Sequence, residues 1–181
     1  MRVYRAQQYI RPDLQAHIQS KVLLENVRNL RSLCPPTTRF CAVVKANAYG
    51  HGITETVNIL RHAEVDAYAV ATFYEALHIG PLAAGRPILI LEPLNPAWSV
   101  EQVRVCAREG FECVLASTEA FDYIRSVLGG SSMTLRVHLN IETGMGRCGI
   151  ETELAATLLG RIDDDPNIRL VGVFTHFATA D

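Results

Sequence analysis

The chain has 181 residues, with 17 Lys and Arg against 19 Asp and Glu, and a formal net charge of −2. Hydrophobic residues make up 49% and charged residues 20%, which excludes a disordered or fibrous chain and fits a globular domain. The near-neutral charge argues against a broad nucleic-acid surface, and no apolar run approaches the roughly 20 residues of a membrane span.

The amino terminus, MRVYRAQQYIRPD, has no apolar core of the secretory-signal type. From Asp13 to Leu33, Leu14, Ile18, Val22, Val27 and Leu30 recur at helical spacing, and Pro35-Pro36 stops the pattern. A short apolar run, 40–44, reads as a strand, and a helix is expected from about Ile53 to His62. A strand at 67–72 precedes a helix over Phe73–Ala84, and PILIL at 87–91 reads as a buried strand. Ser99 can cap a helix running to Arg108, and Ser117 one running to Leu128, with a strand at 113–116 between them. A strand at 135–141, a helix over Thr152–Leu159 and a strand at 170–174 complete the series.

Strands that alternate with helices imply parallel pairing through right-handed crossovers. Several strands are apolar on successive residues, as strands covered on both faces are. A doubly wound sheet and a (β/α)8 barrel both fit this pattern. Six strands fall short of a full barrel, which takes about 250 residues. A domain seldom stops directly after a strand, so the chain is expected to be truncated. The last strand, as an unpaired edge, is a liability, so poor stability or self-association is expected of the isolated chain.

Five cysteines (Cys34, Cys41, Cys106, Cys113 and Cys148) form an odd set with no CxxC. Free thiols in a reducing cytoplasm are expected, without a disulfide framework or structural zinc. The six histidines show no metal-ligand spacing.

Three segments carry residues of chemical interest, each at the carboxyl end of a strand, where ligands bind in these folds. In Val43-Val-Lys-Ala-Asn-Ala-Tyr-Gly-His-Gly52, Lys45 ends the first strand. Apolar walls favour its neutral amine, the form that Schiff-base chemistry needs. Tyr49 follows in a tight glycine turn, and its hydroxyl can donate to a phosphate. A solvated lysine before a glycine turn would read the same way.

In Asn140-Ile-Glu-Thr-Gly-Met-Gly-Arg-Cys-Gly-Ile150, the spacing GxGxxG matches a dinucleotide fingerprint. No helix opens inside these glycines and no acid closes the next strand, so that function is not expected. Arg147 suits a carboxylate or a phenolate. In Thr175-His-Phe-Ala-Thr-Ala-Asp181, His176 could stack on a ring. His138 lies inside a strand; Glu142, the nearest acid on its face, is about 13 Å away at about 3.3 Å per residue. A structural role is expected for it.

AVVKANAYGHG, ETGMGRCGI and GVFTHFATAD resemble, in order, three segments of the alanine racemases, pyridoxal 5'-phosphate enzymes of fold type III. The likeness runs from about Tyr4 to Asp181. It implies that Lys45 forms the internal aldimine and acts as one acid/base group, and that Tyr49 contacts the cofactor phosphate. It further implies that Arg147 approaches the phenolic oxygen and the substrate carboxylate, that His176 packs beside the pyridine ring, and that Val43 and Leu91 are apolar walls.

By the same resemblance, the fold is α/β, a (β/α)8 TIM-type barrel truncated after about six strands, and 1–181 is its N-terminal part, with the last strands and a β-rich domain absent. The intact protein is expected to be a cytoplasmic homodimer converting L-alanine to D-alanine for peptidoglycan. The second acid/base group, a tyrosine, would come from the missing domain, so this chain alone is expected to be inactive. Many relatives carry a lysine, often carbamylated, seven residues before the arginine. Here that position is Asn140, which brings no negative charge, so an anion or a nearby group would orient Arg147. A serine or broad-specificity racemase, and a non-catalytic pyridoxal-phosphate-binding module, are the alternatives.

Overall fold

The computed structural model describes residues 17–179. Helices and strands alternate: α1 (Ser20–Ser32), β1 (Cys41–Val43), α2 (Lys45–Tyr49), α3 (Ile53–Leu60), β2 (Ala67–Val70) and α4 (Phe73–Ile79) come first. They are followed by β3 (Ile88–Pro93), α5 (Val100–Glu109), β4 (Glu112–Leu115), α6 (Thr118–Leu128), β5 (Leu135–Asn140), α7 (Thr152–Asp163) and β6 (Ile168–Phe174).

The six strands form one sheet in the order β1-β2-β3-β4-β5-β6, and every pair is parallel. A doubly wound sheet reverses its order at a switch point. This one never does, so its winding is that of a barrel wall, and it corresponds to six consecutive strands of a (β/α) barrel. All six carboxyl ends therefore lie on one side, which is what brings the loops after β1, β5 and β6 to the same end of the sheet.

The register separates two faces. Cys41, Val43, Ala67, Ala69, Leu89, Glu112, Arg136 and His138 share one of them, the inner face turned away from the helices, because they stand opposite one another in paired strands or two residues apart. The other face carries Tyr68, Val70, Ile90, Cys113, Leu115, Leu135, Val137 and Leu139, all fully or nearly fully buried in a single hydrophobic core with the helices. That core includes Phe73, Ala76 and Ile79 of α4, Val103 and Cys106 of α5, and Phe121, Ile124 and Leu128 of α6.

Local chemistry explains the boundaries. Ser99 accepts from the Gln102 N–H while the Gln102 side chain accepts from Ser99, a capping box that starts α5. Thr72 and Glu75 do the same for α4, and Ser117 caps α6. The single helix expected over Phe73–Ala84 instead ends at Ile79 and continues as a 3-10 turn, Gly80–Leu82. Pro81 is the cause, since it offers no N–H and crowds the preceding turn. Conversely, α7 runs past Gly160 to Asp163. Leu158 and Ile162, four apart, are both buried, and that packing outweighs the cost of about 1 kcal/mol for an interior glycine.

The apolar stripe of α1 is only partly covered. Val27 is buried, whereas Val22 and Leu30 are exposed and border an apolar groove of about 620 Å³ beside β1. Ile18, also exposed on that groove, precedes the helix, which among the described residues begins at Ser20 and not earlier in the stretch expected from Asp13. Leu14, the first residue of that stripe, lies outside the described residues. All five cysteines are free, and no described helix is long and apolar enough to cross a membrane.

Candidate active site

Every candidate residue is at the carboxyl end of the sheet. Val43 is the last residue of β1, and Lys45 follows two positions on. Leu91 lies in the second half of β3. Arg147 is in the loop after β5, and His176 is two residues beyond β6. Val43 shares the inner face with Ala69 and Leu89 through direct register, and Leu91, two residues further, continues that apolar surface. Lys45 is half-buried, and Tyr49, Arg147 and His176 are exposed. Among the described residues, neither Lys45 nor Arg147 takes part in an ion pair.

The turn after Lys45 is left-handed. Ala46, Asn47, Ala48 and Tyr49 all have φ between 52° and 55°, where the tight turn expected from the glycines would have placed only Gly50 and Gly52. Each non-glycine residue in this conformation costs roughly 1–2 kcal/mol, so other contacts must hold it. The Ala48 N–H donates to the Val44 carbonyl at 2.9 Å, and Gly50 N–H to Ala46 at 3.1 Å. The Asn47 side chain accepts from Ile53 N–H at 2.8 Å, which ties the turn to the start of α3. The Ala46 N–H donates to the Glu75 carboxylate at 2.7 Å. Glu75 is absent from the sequence-based candidates. The spacing Thr72-Phe-Tyr-Glu75 does announce a capping box, but nothing local announces the bond to Ala46.

The Arg147 loop is built by an acid and an amide. The Glu142 carboxylate accepts from Gly144 N–H at 2.5 Å and from Gly146 N–H at 2.9 Å. Backbone N–H groups of Gly146 and Gly144 hold this carboxyl below the ordinary glutamate range, so it stays ionised beside the loop. Asn140 is buried, and its side-chain N–H donates to the Cys148 carbonyl at 3.0 Å. Its Oδ1 has no partner among the described residues. Asn140 thus holds the backbone next to Arg147, and the negative charge in the loop comes from Glu142.

The GxGxxG spacing has a local reason. Gly149 has φ +142°, and a Cβ there would come within 2.7 Å of the Glu142 nitrogen. The glycine lets the returning chain lie against Ile141 and Glu142, with Glu142 N–H donating to Ile150 and Ile150 N–H to Asn140. No helix opens among these glycines; α7 begins at Thr152. The loop also touches its neighbour after β6, through a 2.5 Å hydrogen bond between the Thr143 and Thr175 hydroxyls.

His138 is structural, as expected, but its partner is on the adjacent strand. Its Nε2 lies 2.6 Å from Glu112 of β4, and Arg136 donates to the other Glu112 oxygen at 2.6 and 3.1 Å. Burial alone would push the Glu112 carboxyl up. The hydrogen bonds and charges of His138 and Arg136 outweigh it and hold the carboxyl below its ordinary value. Spacing along one strand could not reveal a pair made across two.

The chain is similar to known proteins along most of its length. Residues 18–181 match the family model described as alanine racemase, N-terminal domain. The chain is 34% identical over 172 residues to an alanine racemase from Synechocystis, covering 95% of this chain and 45% of that protein. It is 36% identical over 171 residues to alanine racemase 1 of Bacillus subtilis, covering 93% and 42% respectively. The fold matches the crystal structure of alanine racemase from E. faecalis with a TM-score of 0.79 at 29% identity, over 91% of this chain and 44% of that one. The chain therefore spans less than half the length of these relatives.

Proposed function

The chain belongs to the family of alanine racemase N-terminal domains, and on that premise we propose that it forms the lysine-bearing part of an enzyme that interconverts L- and D-alanine with pyridoxal 5'-phosphate. The observation that carries this reading is Lys45: a half-buried amine at the carboxyl end of β1, without an ion-pair partner among the described residues, beside an apolar inner face.

The donor set suits the cofactor. Lys45 offers an amine for covalent attachment, Tyr49 a hydroxyl for the phosphate, and Arg147 a guanidinium for the phenolic oxygen or the substrate carboxylate. Val43 and Leu91 supply apolar walls, and His176 an imidazole beside the ring. Bound there, the cofactor supplies an electron sink for the charge left when the substrate α-carbon loses its proton.

The remaining chemistry belongs to side chains. With cofactor and substrate bound, the Lys45 amine would take or return the proton at the α-carbon on one face. Arg147 binds the carboxylate and fixes which face is presented. Racemisation returns a proton on the opposite face, and we assign that group to a residue outside 1–181, so the chain by itself does not racemise alanine appreciably. The proposal extends to a homodimeric, cytoplasmic enzyme that supplies D-alanine to peptidoglycan. The five free cysteines suit a reducing compartment.

Equilibrium dialysis against pyridoxal 5'-phosphate tests the reading. Lys45→Ala is expected to weaken binding by at least about tenfold. Equal binding by both proteins would overturn it.

A further inference from the structure

We infer that Glu75 is a positioning residue for Lys45: its carboxylate fixes the peptide plane that follows the lysine and so sets the direction in which the side chain leaves β1. The consequence for function rests on the reading of Lys45 as the cofactor lysine; the geometry does not.

Two peptide planes flank the Lys45 Cα. The first, Val44–Lys45, is held by its carbonyl, which accepts from Ala48 N–H at 2.9 Å. The strand before it is anchored to β2, with Val44 N–H donating to Ala69 at 2.8 Å. The second plane, Lys45–Ala46, is held by its N–H, which donates to Glu75 Oε1 at 2.7 Å across 29 residues of sequence. Ala46 is also where φ changes sign. The carboxylate therefore acts at the peptide where the chain reverses hand, immediately after the reactive lysine.

Glu75 can hold that plane because it is itself held. Its Oε2 accepts from Ala71 N–H at 2.7 Å and from Thr72 N–H at 3.1 Å. One half-buried carboxylate thus serves three N–H donors on two loops. The Thr72 contact belongs to the capping box of α4, and the helix needs nothing at Ala46. The bond to Ala46 is in excess of the cap.

An ionised carboxylate accepts through both oxygens. Glutamine has one acceptor oxygen, and its amide group would face an N–H donor at the other position. Glu75→Gln must therefore release either Ala46 or the Ala71–Thr72 pair. Thr72→Ala removes the other half of the capping box, the 3.3 Å bond from Glu75 N–H to Thr72 Oγ1, and leaves the carboxylate free to hold Ala46. The two variants separate capping from positioning.

Amide hydrogen exchange of the chain, read by mass spectrometry on peptides spanning 46–52, requires no cofactor. Glu75→Gln is expected to speed exchange there by at least about tenfold relative to Thr72→Ala, whose effect stays within 72–79, once both are compared at matched thermal stability. A second readout is the ratio of pyridoxal 5'-phosphate trapped by borohydride on Lys45 to that on Lys21, the chain's only other lysine; Glu75→Gln lowers it and Thr72→Ala does not. Equal exchange over 46–52 in the two variants would overturn the inference. Wild-type chain that traps no cofactor on Lys45 would count against the proposed function, while exchange would still decide the role of Glu75.

Discussion

Glu112 of β4 and His138 of β5 meet across 2.6 Å on the inner face of the sheet, with Arg136 completing the cluster on the other carboxylate oxygen. An acid held below its ordinary value in the folded chain takes up a proton more readily when unfolded. Its contribution to stability is therefore fully present above the ordinary glutamate value and is lost as pH falls through the lowered one. Urea midpoints followed through the acid range are expected to drop for the wild-type chain and to be flatter for Glu112→Gln. At neutral pH the same substitution should cost about 1–3 kcal/mol, because it weakens bonds to two cationic or polar partners.

Gly172 of β6 lies under the same histidine. A Cβ at this position would overlap the His138 ring, so Gly172→Ala should destabilise the chain by about 1–3 kcal/mol. His138→Ala removes the obstacle. Denaturant unfolding of the single and double variants should show the glycine substitution costing clearly less when the ring is absent. Strict additivity would mean that the close approach does not govern this position.

The Arg147 loop depends on Glu142, whose two oxygens hold the N–H groups of Gly144 and Gly146. Arg147 is exposed and is a trypsin site. Glu142→Ala is expected to raise the rate of native-state cleavage after Arg147 about tenfold, since opening of the loop precedes cutting. Cleavage at unchanged rate would place the stability of the loop elsewhere.

The cap of α5 gives a smaller, local effect. Ser99→Ala removes the acceptor of Gln102 N–H and is expected to lower stability by about 1 kcal/mol, measured as a shift in urea midpoint with unchanged slope.

The elements legible in the sequence are those whose cause is local. Ser99, Ser117 and the apolar runs at 40–44, 87–91 and 135–141 announce α5, α6, β1, β3 and β5 because capping and burial act within a few residues. The alternation of strands and helices fits a barrel and a doubly wound sheet alike, the resemblance favours the barrel, and the sequential strand order agrees with it. The motifs place Lys45, Arg147 and His176 at strand ends. What holds Lys45 was not legible, because Glu75 reaches Ala46 from 29 residues away. Asn140 lies in the Arg147 segment itself, but its spacing does not announce the bond to Cys148, and the Glu112 partner of His138 comes from the neighbouring strand. The left-handed turn at Ala46–Tyr49 was hidden for a related reason. Alanine and tyrosine do not favour that conformation, so only the surrounding hydrogen bonds reveal it.

The most direct measurement is to incubate the chain with pyridoxal 5'-phosphate, reduce with borohydride and map the modified peptide by mass spectrometry. With only Lys21 and Lys45 present, the chain carries its own control. Label concentrated on Lys45 is the predicted result and means that the loops after the strands assemble a cofactor site. Label divided evenly between Lys45 and the exposed Lys21, or found at the amino terminus alone, would contradict it.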